Sequence, residues 1–244
     1  MSDPTVELRL ARERFTTRAA GRLTQHCFSF GEHYDPANVA HGALLTCNDD
    51  LLASGAGYPD HAHRDIEIVT WMLSGSLVHE DSHGNRGVIH RGVVQRTSAG
   101  SGIIHAERND AYRVDPQIRP APAHFVQMWL RPDQAGASPE YEQRVLELDD
   151  LAEDWAPVAS GAHQEALVRL GSRGSTLWVT QLGPGVARLL PEDDHVHVYL
   201  TGGEAEVEGI GPIESGDSLR LSGRAPLKIT GRSSTEVLVW AMAS

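Results

Sequence analysis

The sequence predicts an all-β protein of two barrel or sandwich domains in tandem. Three observations lead there: short segments with strand patterning, closely spaced glycine-rich turns between them, and a return of the same rhythm after an acidic break in mid-chain. Val6, Leu8 and Leu10 alternate with Glu7 and Arg9, the period of two that sends side chains to opposite faces of a strand. The stretch 66–78 is dense in Ile, Val, Thr and Trp and has no proline, and Ser82-His83-Gly84-Asn85 punctuates the pattern as a turn. Val88-Ile89 and Val93-Val94 are short runs broken by Gly92; another strand over 124–130 is closed by Pro132.

From 133 to 161 the character changes. Gly, Ser and Pro mix with Glu147, Asp149, Asp150, Glu153 and Asp154, which predicts a linker with a short helix. Strands then resume over 176–182, 195–200, 204–208, 218–221, 226–230 and 235–241. The expected organisation is a first domain at 1–133, a linker at 134–160 and a second domain at 161–244.

Composition narrows the function classes. The chain has 244 residues and a formal net charge of −12, opposite in sign to what a phosphate-binding face requires, so neither nucleic acid nor an anionic membrane is the expected partner. No apolar run reaches the length of a membrane span, and the first residues lack the basic and apolar regions of an export signal. Cys27 and Cys47 form no C-x-x-C pair, so both are expected to be reduced and buried, which together with the N-terminus predicts a cytoplasmic protein. No P-loop, G-x-G-x-x-G or Ser-His-Asp order supports a kinase, dinucleotide enzyme or hydrolase.

Histidine stands out: 13 in all, seven of them between His61 and His124. His61 and His63 are two apart, as are His105 and Glu107, so each pair can aim two ligand atoms at one point from one strand. Three imidazoles and a carboxylate suit a divalent transition metal with coordination positions left for water or substrate. Glu67 shares the parity of His61 and His63 and faces the same cavity if the strand runs unbroken. A lone H-x-H is also compatible with a surface pair or a hydrogen-bonded core pair; two such same-face pairs favour the metal.

The surrounding words are more specific. Gly55, His61, His63, Glu67 and Gly75 stand at spacings that resemble the first cupin motif, with one extra residue in the last spacer. Gly92, Gly100, His105 and Asn109 resemble the second, with Ser98 in the usual proline position and two extra residues before the histidine. The strings HAHRDIEIVTWMLSGSLVHEDSHGNRGVI (61–89) and VQRTSAGSGIIHAERN (94–109) resemble the pirin family, as do FGEHYDPANVAHGALLTCNDD (30–50) and HFVQMWLRP (124–132). Ala62 replaces the usual proline of the family's H-P-H-R-G-F-E string, and Asp65-Ile66 replaces Gly-Phe.

That resemblance implies a bicupin: two jelly-roll barrels with one metal, in the first barrel only. It implies His61, His63, His105 and Glu107 as ligands and Fe(II) as the metal, with Mn, Ni, Cu or Zn compatible with the same donors. Glu67 is then expected to orient an imidazole or a bound water, and Glu107 to double as the catalytic base. The implied activity is dioxygenation of a flavonol or similar aromatic enol, as in quercetin 2,3-dioxygenases. The alternative is a metal- or redox-sensitive regulator that binds a transcription regulator or metabolic enzyme; an empty cupin is the third reading.

Elsewhere, Gly100 and Gly102 are expected to serve a tight turn or a close approach to the cavity. His79, His83 and His90 are expected to face solvent, Glu80 and Asp81 to be solvated, and Trp71 to pack in a core. One of His124, Gln127, Met128 and Trp129 is expected to line the cavity. His195 and His197 form a second H-x-H, but 211–222 offers only Glu214 and Asp217, so the second barrel is expected to bind no metal and to serve packing, dimerisation or pocket closure.

Overall fold

A computed structural model describes residues 4–244. Residues 1–3, which open the segment read above for an export signal, lie outside the described residues. The expected bicupin is found. Each barrel pairs a seven-stranded sheet with a four-stranded one. The large sheet of the first barrel runs in the order Glu140–Val145, Val93–Ser98, Glu67–Ser74, Ala123–Leu130, Leu44–Leu52, Arg22–His26, Phe15–Ala19. Its small sheet runs Gly57–His63, Ile103–Arg108, Ser76–Asp81, Arg86–His90. The second barrel repeats the plan, with Thr5–Arg9 at one edge of its large sheet and Ala187–Leu189, Lys228–Gly231, Glu204–Val207 and Gly211–Glu214 in its small one.

The two large sheets pack against each other, and strand alternation explains the sequence of the buried strands. Along Glu67–Ser74, Val69 and Trp71 join the cluster shared with Leu177, Val179, Tyr199 and Trp240 of the second barrel, whereas Met72 joins Leu77, Ile89 and Phe125 inside the first. With both faces covered, the strand reads as a continuous apolar run rather than an alternating one. Trp71 packs in this interface as expected, and its indole N–H donates to Glu236 of the second barrel at 2.9 Å.

The expected domain boundaries differ from the structure. Strand Thr5–Arg9 pairs with Ser218–Ser222, so the chain gives its first strand to the second barrel. The expected linker does contain a short helix, Asp150–Glu153, but also two strands. Glu140–Val145 pairs along Val93–Ser98 at the edge of the first large sheet, and Ala156–Ser160 pairs with Ser175–Leu182. An edge strand needs little apolar patterning because one side meets solvent; Glu140, Gln143, Arg144 and Val145 are all exposed. Among the described residues, no helix is long and apolar enough to cross a membrane.

Candidate metal centre

Strands Gly57–His63 and Ile103–Arg108 lie side by side and antiparallel, with His61 opposite His105 and His63 opposite Ile103. A β-bulge follows His105, so that Glu107 falls opposite Tyr58; such a bulge re-aims a side chain beside a site. One ring nitrogen from each of His61, His63 and His105 lies within 4.8 Å of the others. The three rings have centroids 4.4, 4.7 and 4.9 Å apart.

The hydrogen bonds decide which nitrogen each ring presents. His61 donates from Nδ1 to the Pro59 carbonyl at 2.8 Å, which leaves Nε2 with its lone pair. His105 and His79 share a bond between their Nδ1 atoms at 3.4 Å, and His79 donates from Nε2 to Asp81 Oδ2 at 3.3 Å. In the neutral tautomers that satisfy both bonds, His105 donates from Nδ1 and keeps a bare Nε2. The buried Nε2 atoms of His63 and His105 and Oε1 of Glu107 have no hydrogen-bond partner. Buried polar atoms without partners are rare and costly; here they are the donor atoms a divalent ion takes. His61, His63 and His105 therefore fit a metal as one group, while the Glu107 carboxylate groups with His105 and His79.

Electrostatics agree. Burial, then the neighbouring imidazoles, push His105 down to about 3 and His63 down to about 4. Both are neutral at physiological pH, the form in which imidazole binds a metal.

Glu107 is buried and fixed from the far side. Gln127 donates from Nε2 to Glu107 Oε2 at 2.8 Å and reaches Thr70 at 3.3 Å; Trp129 donates to Gln127 Oε1 at 3.1 Å. Both Gln127 and Trp129 line the adjoining cavity, whose volume is about 420 Å³. His124 does not take part and pairs with Asp49 at 2.7 Å, while Met128 packs between the barrels.

Several expectations are corrected. Glu67 does not reach the site: Asp65, at φ 52°, turns the chain between His63 and Glu67, and the chain passes from the small sheet to the large one. Glu67 accepts instead from Ser98 at 2.7 Å and abuts Gly171 of the second barrel. The side chains hydrogen-bonded to His105 and Glu107 are instead His79 and Gln127. His79 is not solvent-facing but fully buried, stacked on Tyr141 at 4.6 Å; its position on a strand inside the barrel, rather than in the turn, explains the difference. Asp81 is no solvated acid. Its side chain is buried, with Oδ1 accepting from the backbone N–H groups of His83 and Asn85. His83 and His90 are exposed as expected.

Asp50 and Tyr58, which sequence reasoning did not single out, line the same cavity, Tyr58 beside Glu107 in the ladder. Tyr58 donates to Asp50 Oδ1 at 2.6 Å and Thr24 donates to the same atom. Burial outweighs these bonds and pushes Asp50 up to about 7. His26 and Asn48, bonded at 2.8 Å, also line it, Asn48 directly across the ladder from Gln127. The only sequence cue was Asp50's place in the 30–50 string already matched to the family.

Among the described residues, the second barrel places no pair of histidines at the matching sheet positions. Its strands in the matching sheet positions, Ala187–Leu189 and Lys228–Gly231, carry Ala, Arg, Leu, Lys, Ile, Thr and Gly. His195 and His197 lie instead on a central strand of the large sheet, where His197 pairs across to Arg220.

Comparison with known proteins fits this geometry. The family model described as Pirin matches residues 8–130, and a Mycobacterium tuberculosis protein is 40% identical over 239 residues, spanning 98% of this chain and 95% of its own length. The chain belongs to the pirin family. That mycobacterial pirin relative bears the provisional name quercetin 2,3-dioxygenase. The Escherichia coli K12 protein named quercetin 2,3-dioxygenase is 37% identical over 139 residues, 57% of each chain. Among solved structures, the E. coli pirin YhhW in complex with nickel(II) superposes with a TM-score of 0.87 at 28% identity, covering 98% of this pirin and all of that chain.

Proposed function

We propose that this pirin holds one divalent transition metal, Fe(II) by family resemblance, through His61, His63, His105 and Glu107, and uses it to dioxygenate a flavonol or similar aromatic enol. The observation that carries the reading is the grouping of one ring nitrogen each from His61, His63 and His105 within 4.8 Å of one another, with His63 Nε2, His105 Nε2 and Glu107 Oε1 unpartnered, beside a cavity large enough for a bicyclic aromatic. The relatives named quercetin 2,3-dioxygenase and the nickel complex of YhhW support it. When bound, the metal would supply Lewis acidity and an electron conduit between substrate and dioxygen.

The chain's own residues divide the remaining work. Trp129 and Phe30 offer aromatic walls against which a flat ring can lie. Gln127 fixes Glu107, whose carboxylate is the proposed base for the substrate's enol hydroxyl. Asp50, which lines the same cavity, can exchange a proton near neutral pH and so favour a substrate that presents a second hydroxyl or carbonyl there. The test is oxygen uptake with quercetin by metal-loaded protein. Catalytic consumption that is lost in His105→Ala supports the reading. Metal retention without turnover would shift it to the regulatory alternative, in which the metal state governs binding to another protein.

A further inference from the structure

A second group of ligand-type side chains lies outside the cavity, between the barrels. The alternation that points His26 and Asn48 into the first barrel sends Cys27 and Cys47 out through its other face. His26 pairs with Asn48 in the ladder, and the Cys27 N–H continues it by donating to the Cys47 carbonyl at 3.0 Å. Both thiols are buried in the core shared by the barrels. His197 meets them there from the central strand of the second barrel. Each of the three contributes one donor atom, all within 4.8 Å of one another. His197 is 1% exposed, and neither of its ring nitrogens makes a well-formed hydrogen bond, the Cys27 thiol being the side chain within reach. A buried imidazole with both nitrogens unmatched is an expense that packing alone does not explain.

We propose that Cys27, Cys47 and His197 form a binding site for a soft, thiolate-seeking metal ion, Cu(I), that bridges the two barrels. Thiolate sulfur selects Cu(I) and zinc over harder ions. Three donors satisfy Cu(I), whereas structural zinc takes four. Charge points the same way. Two thiolates, a neutral imidazole and Cu(I) leave one net negative charge. Arg220 donates to the Cys27 carbonyl at 2.8 Å, with its guanidinium 4.0 Å above the Phe28 ring that packs on His197. Met128, paired across the ladder with Cys47, places a thioether on the same face. Since the sulfurs belong to one barrel and the imidazole to the other, the ion would be held only when the barrels are docked.

The test is anaerobic titration of the reduced, full-length chain with Cu(I) in competition with bicinchoninate, followed by copper X-ray absorption. It is repeated in the His61→Ala/His105→Ala chain, where the cavity histidines are gone. The expected result in both is one Cu(I) per chain with sulfur and nitrogen in its first shell. His197→Phe should weaken Cu(I) by more than the roughly 10–100-fold that loss of an outer-shell partner costs. Without metal, the same variant should be no less stable than the parent, because it removes two unmatched nitrogens. Copper ligated by nitrogen and oxygen alone, no retention against bicinchoninate, or unchanged affinity in a folded His197→Phe chain would overturn the proposal. The absorption measurement on the unsubstituted chain decides the matter even if the variants fold poorly.

Discussion

His79 and His105 share a hydrogen bond between their Nδ1 atoms, 3.4 Å apart, and Asp81 accepts from the other side of His79. This relay fixes the tautomer in which His105 turns a bare Nε2 toward His61 and His63. His79→Phe retains the stacking on Tyr141 but leaves His105 free to rotate. Metal affinity is expected to fall roughly 10–100-fold, the usual cost of losing such a partner. Competition with a chelator measures it; unchanged affinity would show that the relay does not position His105.

Gln127 does the same for the carboxylate. In Gln127→Leu the volume is kept, but Glu107 Oε2 loses its 2.8 Å donor. Turnover in the oxygen-uptake assay is expected to fall, again roughly 10–100-fold, with the protein folded by circular dichroism. A smaller loss would mean that Glu107 is held by something other than Gln127.

Asp50 predicts a pH dependence. Its ordinary value is 3.8, and burial raises it to about 7 in the folded chain. Below its ordinary value the group is protonated in both states. As pH rises toward about 7 the unfolded chain has released the proton while the folded chain retains it, so this contribution to stability is progressively lost. Denaturant melts of the parent and of Asp50→Asn at pH 5, 6 and 7 should show a stability difference that moves in favour of the variant as pH rises. A difference constant with pH would contradict the assigned protonation.

The turns around the site make a paired prediction. Gly100 has φ 46°, and a Cβ there would lie 2.1 Å from the Ala137 carbonyl oxygen. Gly100→Ala should therefore destabilise by about 1–3 kcal/mol. Asp65 is the non-glycine residue with positive φ among those described, and its Oδ1 accepts from the Gly136 N–H at 2.6 Å. Asp65→Gly relieves the backbone but loses that bond, so the net change should stay within about 1 kcal/mol. Thermal melts compare the two.

These positions also explain what the sequence did and did not disclose. Period two was enough to place His61, His63, His105 and Glu107 on two strands, although the bulge after His105, which shifts Glu107 opposite Tyr58, left no mark in the spacing. It failed for Glu67, since the left-handed Asp65 turns the chain before the next strand begins; the glycine that the family usually has at this position was the available cue. His79 and Asp81 were legible as strand end and turn, but not as a relay, because burial depends on Tyr141 from a strand some 60 residues away. That strand was itself hidden by the polar residues an edge requires. Asp50, Tyr58 and Thr24 converge only through sheet pairing and left no local pattern. The placement of His195 and His197 on the large sheet of the second barrel, rather than on its small one, left no mark in the H-x-H spacing.

The most direct test is elemental analysis of the purified chain beside its His61→Ala/His105→Ala variant, with one divalent metal offered to both. The account predicts about one ion per chain in the parent and its loss from the folded variant. Equal metal in a folded variant, or none in the parent after anaerobic loading with Fe(II), would contradict it.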